Sequence, residues 1–172
     1  MNPALPPAGL DALHCDQVRE AWIDSNNHMN LAYYVVVFDH ATDALFKVLD
    51  VSSAYRARSQ CSMFVVETHT LYRREMRLGA PIRTAARLIG ADAKRLHLFH
   101  SMFHATDHYL AATQELMCLH IDMASRRAVP FPADVQTRLA ALLQADPRPI
   151  PEAAGRAIAM PARPSARADQ PR

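Results

Sequence analysis

The feature that most restricts how this chain can fold is the run from Leu31 to Leu49, where Leu31, Tyr34, Val35, Phe38, Leu45 and Leu49 recur at intervals of three, four and seven. That is the period of a helix with an apolar face. Locally "YYVVVF" favours a strand, because β-branched side chains lose rotamer freedom in a helix. The pattern nevertheless continues through "DHATDALFKVLD" for about five turns, and Asn30 stands before it as a good N-cap. The apolar surface is broad, so the helix is expected to be buried on more than one side.

After this helix the period changes. "SMFVVETHTLYRRE", "APIRTAARLIGA", "KRLHLFHSMFHA" and "YLAATQELMCLHIDM" read as four strands, joined by "RLGAP", "GADAK" and "TDH". Short links of this kind predict an antiparallel meander. An earlier strand is expected in "HCDQVREAWID", and a short amphipathic helix in "FPADVQTRLAALLQA", after Pro132. The predicted architecture is α+β: an antiparallel sheet of about five strands curled around one long central helix. One domain over residues 13–145 is expected. Residues 1–12 should lie loosely on the surface, and the Pro-, Ala- and Arg-rich residues 146–172 should be extended or disordered.

Composition narrows the function. Half of the 172 residues are hydrophobic and the formal charge is only +2, too mild an excess for a nucleic-acid binder. Cys15, Cys61 and Cys118 form no CxxC pair and no disulfide framework, which fits a reducing cytoplasm. No signal-peptide pattern and no apolar run of membrane-spanning length is present, so no membrane association is expected. The four glycines, Gly9, Gly79, Gly90 and Gly155, match neither GxGxxG nor a P-loop. No cofactor is expected.

The chemistry is concentrated in "DSNNHMN", residues 24–30, where Asp24, Asn26, His28 and Asn30 occupy the turn into the long helix. Unpaired N–H groups and the positive end of the helix dipole suit a developing oxyanion there. A carboxylate beside such donors describes acyl transfer: Asp24 attacks the carbonyl or activates water, and N–H groups near His28 and Met29, with the side chains of Asn26 or His28, stabilise the tetrahedral oxygen. Plain capping is the competing reading and is preferred for Asn27 and Asn30.

"DSNNHMNLAYY" resembles the D-x-[DN]-x-[GN]-H-[MV]-N-x-x-Y signature of hotdog-fold acyl-CoA and acyl-carrier-protein thioesterases, in the 4-hydroxybenzoyl-CoA thioesterase-like superfamily. The resemblance implies a hotdog fold, a catalytic aspartate at Asp24, and Asn26 and His28 at the spacing seen in plant acyl-carrier-protein thioesterases. Further segments, "VVETHTLYRREMRLGAPI", "ADAKRLHLFHSMFH", "ATQELMCLHIDM" and "PEAAGRAIAMP", are similar to the thioesterases of carnitine catabolism. That resemblance implies hydrolysis of betainyl-CoA to glycine betaine and CoA, and a homodimer or homotetramer with its active site at a subunit interface. Many relatives carry glycine where this chain has Asn27; if the position needs positive φ, asparagine can adopt it. Hotdog hydratases resemble D-x-N-P-x-H, with one more residue between acid and histidine than here. A non-catalytic acyl-CoA-binding module is the reading from another class.

Other candidates are weaker. Glu67, in "FVVETHT", is a candidate second acid or a solvent-facing strand residue. Arg73, Lys94 and Arg95 are candidate partners for CoA phosphates, within a wider basic rim of Arg74, Arg77, Arg126 and Arg127. A trimethylammonium acyl group would be held by aromatic faces, for which Trp22 and Tyr33 are preferred over Tyr34 and Tyr55. His69, His97, His100, His104 and His120 tempt a metal reading, but no ligand set closes among them from the sequence, and none is expected.

Overall fold

The computed structural model describes residues 10–160. Six strands, β1 (His14–Gln17), β2 (Cys61–Tyr72), β3 (Pro81–Ala91), β4 (Arg95–His104), β5 (Leu110–Asp122) and β6 (Arg127–Ala128), form one antiparallel sheet. Its main path runs β1-β3-β4-β5-β2, with β6 paired to β5. The helices are α1 (Leu31–Val48), α2 (Ser53–Ser59) and α3 (Ala133–Ala145). The four long strands and the long helix lie where the sequence places them, and the hotdog architecture follows: a curled sheet around α1.

Asn30 starts α1 as expected, its side-chain oxygen accepting the Ala32 N–H. The β-branched run stays helical because burial of Tyr34, Val37 and Phe38 outweighs local propensity, although Val35 and Val36 stay exposed, so α1 is buried on one side and not on more than one. Val37, Phe38, Ala41 and Leu45 are fully buried. Toward its first turns α1 packs on Ile82, Met102 and Ala112 of the sheet; toward its end Leu45 and Leu49 meet Leu88, Leu96, Leu98 and Cys118.

Several expectations need correction. The sheet is not a four-strand meander: β2 pairs with β5, not β3, so "RLGAP" is a crossover to the far side of the sheet and only β3-β4-β5 run as consecutive hairpins. Turn residues signal that the chain reverses, not which strand it returns beside. The first strand ends at Gln17, and Glu20–Trp22 is a 3-10 turn. The segment "SSAYRARSQ" supplies the unexpected α2, closed by Gln60 at φ 58. Residues 1–9 and 161–172 lie outside the described residues. Leu10 is buried and its carbonyl accepts the Ala86 N–H, so residue 10 is not loose. Residues 146–160 are irregular yet tied down: Arg87 holds Asp146 (2.8 Å) and the carbonyls of Arg148 and Pro149 (both 3.0 Å), and Gly155 N–H donates to Glu115 (2.8 Å).

Candidate active site

Residues 22–30 fold into a tight hairpin leading into α1. Asn30 N–H donates to Trp22 O (2.8 Å), Asp24 N–H to His28 O (3.0 Å) and Asn27 N–H to Asp24 O (3.0 Å). Closing so short a loop puts Asn27 in the left-handed region at φ 63, as a turn followed by an αL residue requires. The position therefore does need positive φ, and asparagine meets it. The Asp24 carboxylate is aimed by this loop: Oδ1 accepts the Asn26 N–H at 2.8 Å, with His28 Nδ1 3.7 Å away. Its side chain is 19% exposed, and Oδ2 makes no hydrogen bond among the described residues. Asn26 thus acts through its backbone, and its side chain faces solvent.

The oxyanion donors differ from expectation in one place. The N–H of Met29 donates to Met76 O at 2.8 Å, which removes Met29 from that role. The N–H groups of His28 and Leu31 have no acceptor among the described residues, and they lie at the positive end of α1. Met29 is instead a buried anchor, and the half-buried Asn30 serves as the helix cap.

The support behind the hairpin was not legible in the sequence. Met76 N–H donates to the Tyr34 hydroxyl (3.0 Å) while Met76 O receives Met29 N–H, so the β2–β3 crossover braces the loop against α1. A hydroxyl on the buried helix stripe is a signal that a partner must exist, though not which one.

Trp22 and Tyr33 come together beside this loop, stacked with ring centroids 5.2 Å apart, and the Arg19 guanidinium stands 4.8 Å over Trp22. Trp22 is buried and already engaged; Tyr33 is half-buried. The remaining candidates do not converge on Asp24 within one protomer. Glu67 is exposed on β2, five residues and about 17 Å of strand from Tyr72, whose hydroxyl reaches Leu31 O. Lys94 and Arg95 sit at the β3–β4 turn beside the far end of α1, where Arg95 pairs with Asp92. Arg73 lies at the end of β2 and lines a cavity of about 1150 Å³ with Arg83, Arg87, Phe99 and Phe103. Cys118 offers no rival nucleophile, since burial pushes its thiol up to about 12.

The arrangement, an ionisable carboxylate held beside free helix N-terminal donors, suits attack on or hydration of an activated carbonyl. The family model described as Thioesterase-like superfamily matches residues 18–139. A betainyl-CoA thioesterase of Pseudomonas aeruginosa is 36% identical over 141 residues, covering 81% of this chain and 89% of that protein. An L-carnitine dehydrogenase/betainyl-CoA thioesterase of Rhizobium meliloti is 35% identical over 159 residues, which cover 89% of this chain and 32% of that longer protein. A Staphylococcus aureus protein solved in complex with CoA superposes with a TM-score of 0.81 at 30% identity, over 94% of this chain and 100% of that one.

Proposed function

This chain belongs to the thioesterase-like superfamily, and from that premise we propose that it hydrolyses a short-chain acyl-CoA, betainyl-CoA above all, to the free acid and CoA. The observation that carries the reading is the Asp24 carboxylate, fixed by the Asn26 N–H with its second oxygen free, next to the unpaired His28 and Leu31 N–H groups. The thioester carbonyl oxygen turns toward those donors, which stabilise the negative charge as the carbonyl becomes tetrahedral. Asp24 either adds to the carbonyl carbon, expelling the CoA thiolate and leaving an anhydride that water cleaves, or takes a proton from the water that adds directly. Both routes begin from the same ionised carboxylate.

Tyr33, backed by Trp22, is the aromatic surface for the trimethylammonium group. The Arg73-lined cavity, with Arg83 stacked over Phe103, is the basic surface for the phosphates, in place of Lys94 and Arg95. A homodimer completes the picture. β2 is an edge strand whose bulge between Val65 and Glu67 leaves Val65 and Val66 both exposed, and α1 exposes Leu31, Val35 and Val36. A second copy paired along this edge would cover apolar surface that an isolated protomer leaves in water and would bring its own Glu67 to the interface. No helix among the described residues is long and apolar enough to cross a membrane, and three free thiols suit a reducing cytoplasm.

The test is thiol release from a panel of acyl-CoAs by the wild type and Asp24→Asn. Betainyl-CoA should be the preferred ester, and Asp24→Asn should lower turnover by a factor on the order of 100 or more with folding retained. Near-wild-type turnover by the variant would remove Asp24 from the chemistry. Tight binding of CoA esters without any release would leave a binding module instead.

A further inference from the structure

Away from the acyl-transfer loop, β1 and α1 bring together His14 and Asp16, two residues apart on the strand, and the distant His40 on the helix. One ligand atom from each lies within 4.8 Å of the others. The two imidazoles meet edge to face at 5.2 Å between centroids, and His14 Nε2 stands 3.6 Å from Asp16 Oδ2. That nitrogen is enclosed by protein, yet makes no hydrogen bond among the described residues. A buried polar atom without a partner is unfavourable unless something binds it.

The geometry points to a divalent transition-metal site, of the zinc class, formed by His14 Nε2, Asp16 Oδ2 and a ring nitrogen of His40. Two nitrogens and one carboxylate oxygen are a donor set of that class, and bonds of about 2.0–2.1 Å set neighbouring ligands about 3.3 Å apart in a tetrahedral shell. The His14–Asp16 separation is close to that value as it stands, and His40, exposed on α1, has the freedom to close the remainder. Asp16 is held for the task from behind: Arg19 donates to both carboxylate oxygens (2.9 and 3.1 Å) and Gln17 N–H donates to Oδ1 (2.8 Å). Such outer partners orient a ligating carboxylate, and Oδ2 keeps a lone pair for the ion.

β1 is the sheet edge opposite β2, so the site is complete within one protomer, with a fourth position left for water or a small anion. Its consequence is to clamp a four-residue edge strand to the central helix, which stabilises the folded state by linkage. Neither the proposed hydrolysis nor its residues enter this inference.

The experiment uses the full chain stripped by a chelator and titrated with Zn²⁺ by calorimetry and with Co²⁺ by visible absorption. One equivalent should bind, with a Co²⁺ spectrum shifted from that of the hydrated ion, and added Zn²⁺ should raise Tm. His40→Ala, at an exposed position that leaves the fold intact, and His14→Gln should each weaken binding by on the order of tenfold or more and abolish the Tm increment, while thioester hydrolysis by His40→Ala stays at the wild-type rate. Binding that survives both substitutions belongs to other histidines and overturns the proposal, as does a Co²⁺ spectrum unchanged from the hydrated ion.

Discussion

Asn27 shows how one residue joins backbone conformation to chemistry. At φ 63 it occupies a region that costs a residue with a Cβ about 1–2 kcal/mol and that asparagine and glycine tolerate best. The hairpin that aims Asp24 depends on this conformation. Asn27→Gly is expected to keep stability and turnover, whereas Asn27→Val should lose about 1–2 kcal/mol in chemical denaturation and lose turnover as well. Equal activity for both variants would mean that the loop does not position Asp24. His100 carries a separate prediction. It is buried, and burial holds its pKa down to about 4. Thr42 Oγ1 donates to Phe38 O and so receives its 3.0 Å bond from His100 Nε2–H; burial disfavours a second proton on the ring, and the backbone of Ala85 offsets that only in part. Because the folded value lies below the unfolded 6.5, the unfolded chain takes up the proton first. The contribution of His100 is therefore full above about pH 6.5 and is lost as pH falls toward 4, a change of roughly 3 kcal/mol. Denaturation of the wild type and His100→Gln across that window should show a smaller pH slope for the variant.

At the scale of elements, α1 is legible because its signals agree: a cap, a period and sustained length. Strands β2 to β5 are legible as strands for similar local reasons. Their order is not, because a turn between Tyr72 and Pro81 is compatible with either a hairpin or a crossover, and only the long-range pairing of β2 with β5 and of β3 with β1 and β4 selects the crossover. The segment after α3 makes the same point. Its Pro-rich composition reads as extended or disordered chain, and it is irregular but held: Glu115 bridges His97 (2.6 Å) and the Gly155 N–H (2.8 Å) and Arg87 ties the stretch near Asp146. Replacing Glu115 by alanine removes a charge-assisted bond of roughly 1.5 kcal/mol. Limited proteolysis between residues 147 and 160 should then speed up about tenfold, and an unchanged cleavage rate would show that Arg87 alone holds the segment.

For the whole molecule, the proposed pairing along β2 makes the next prediction. Val66 is 53% exposed at the bulge of an edge strand, so Val66→Lys places a charge where a second copy would sit and should shift the sedimenting species toward monomer, with hydrolysis falling in parallel. A wild type that sediments as a monomer at working concentration would refute the pairing outright. The local sequence by itself determined the central helix, the four long strands and the acid-bearing loop, because a cap, a period and an Asx-rich turn act over a few residues and need no distant partner. Tertiary structure alone decided which strand lies beside which, that Met76 and Tyr34 brace the loop, that Met29 has no N–H left for an oxyanion, and that His14, Asp16 and His40 meet. The β1–β3 and β2–β5 pairings, the brace and the cluster join residues from 24 to 70 positions apart, and it is the packing of α1 and the sheet against each other, not any local preference, that brings them together.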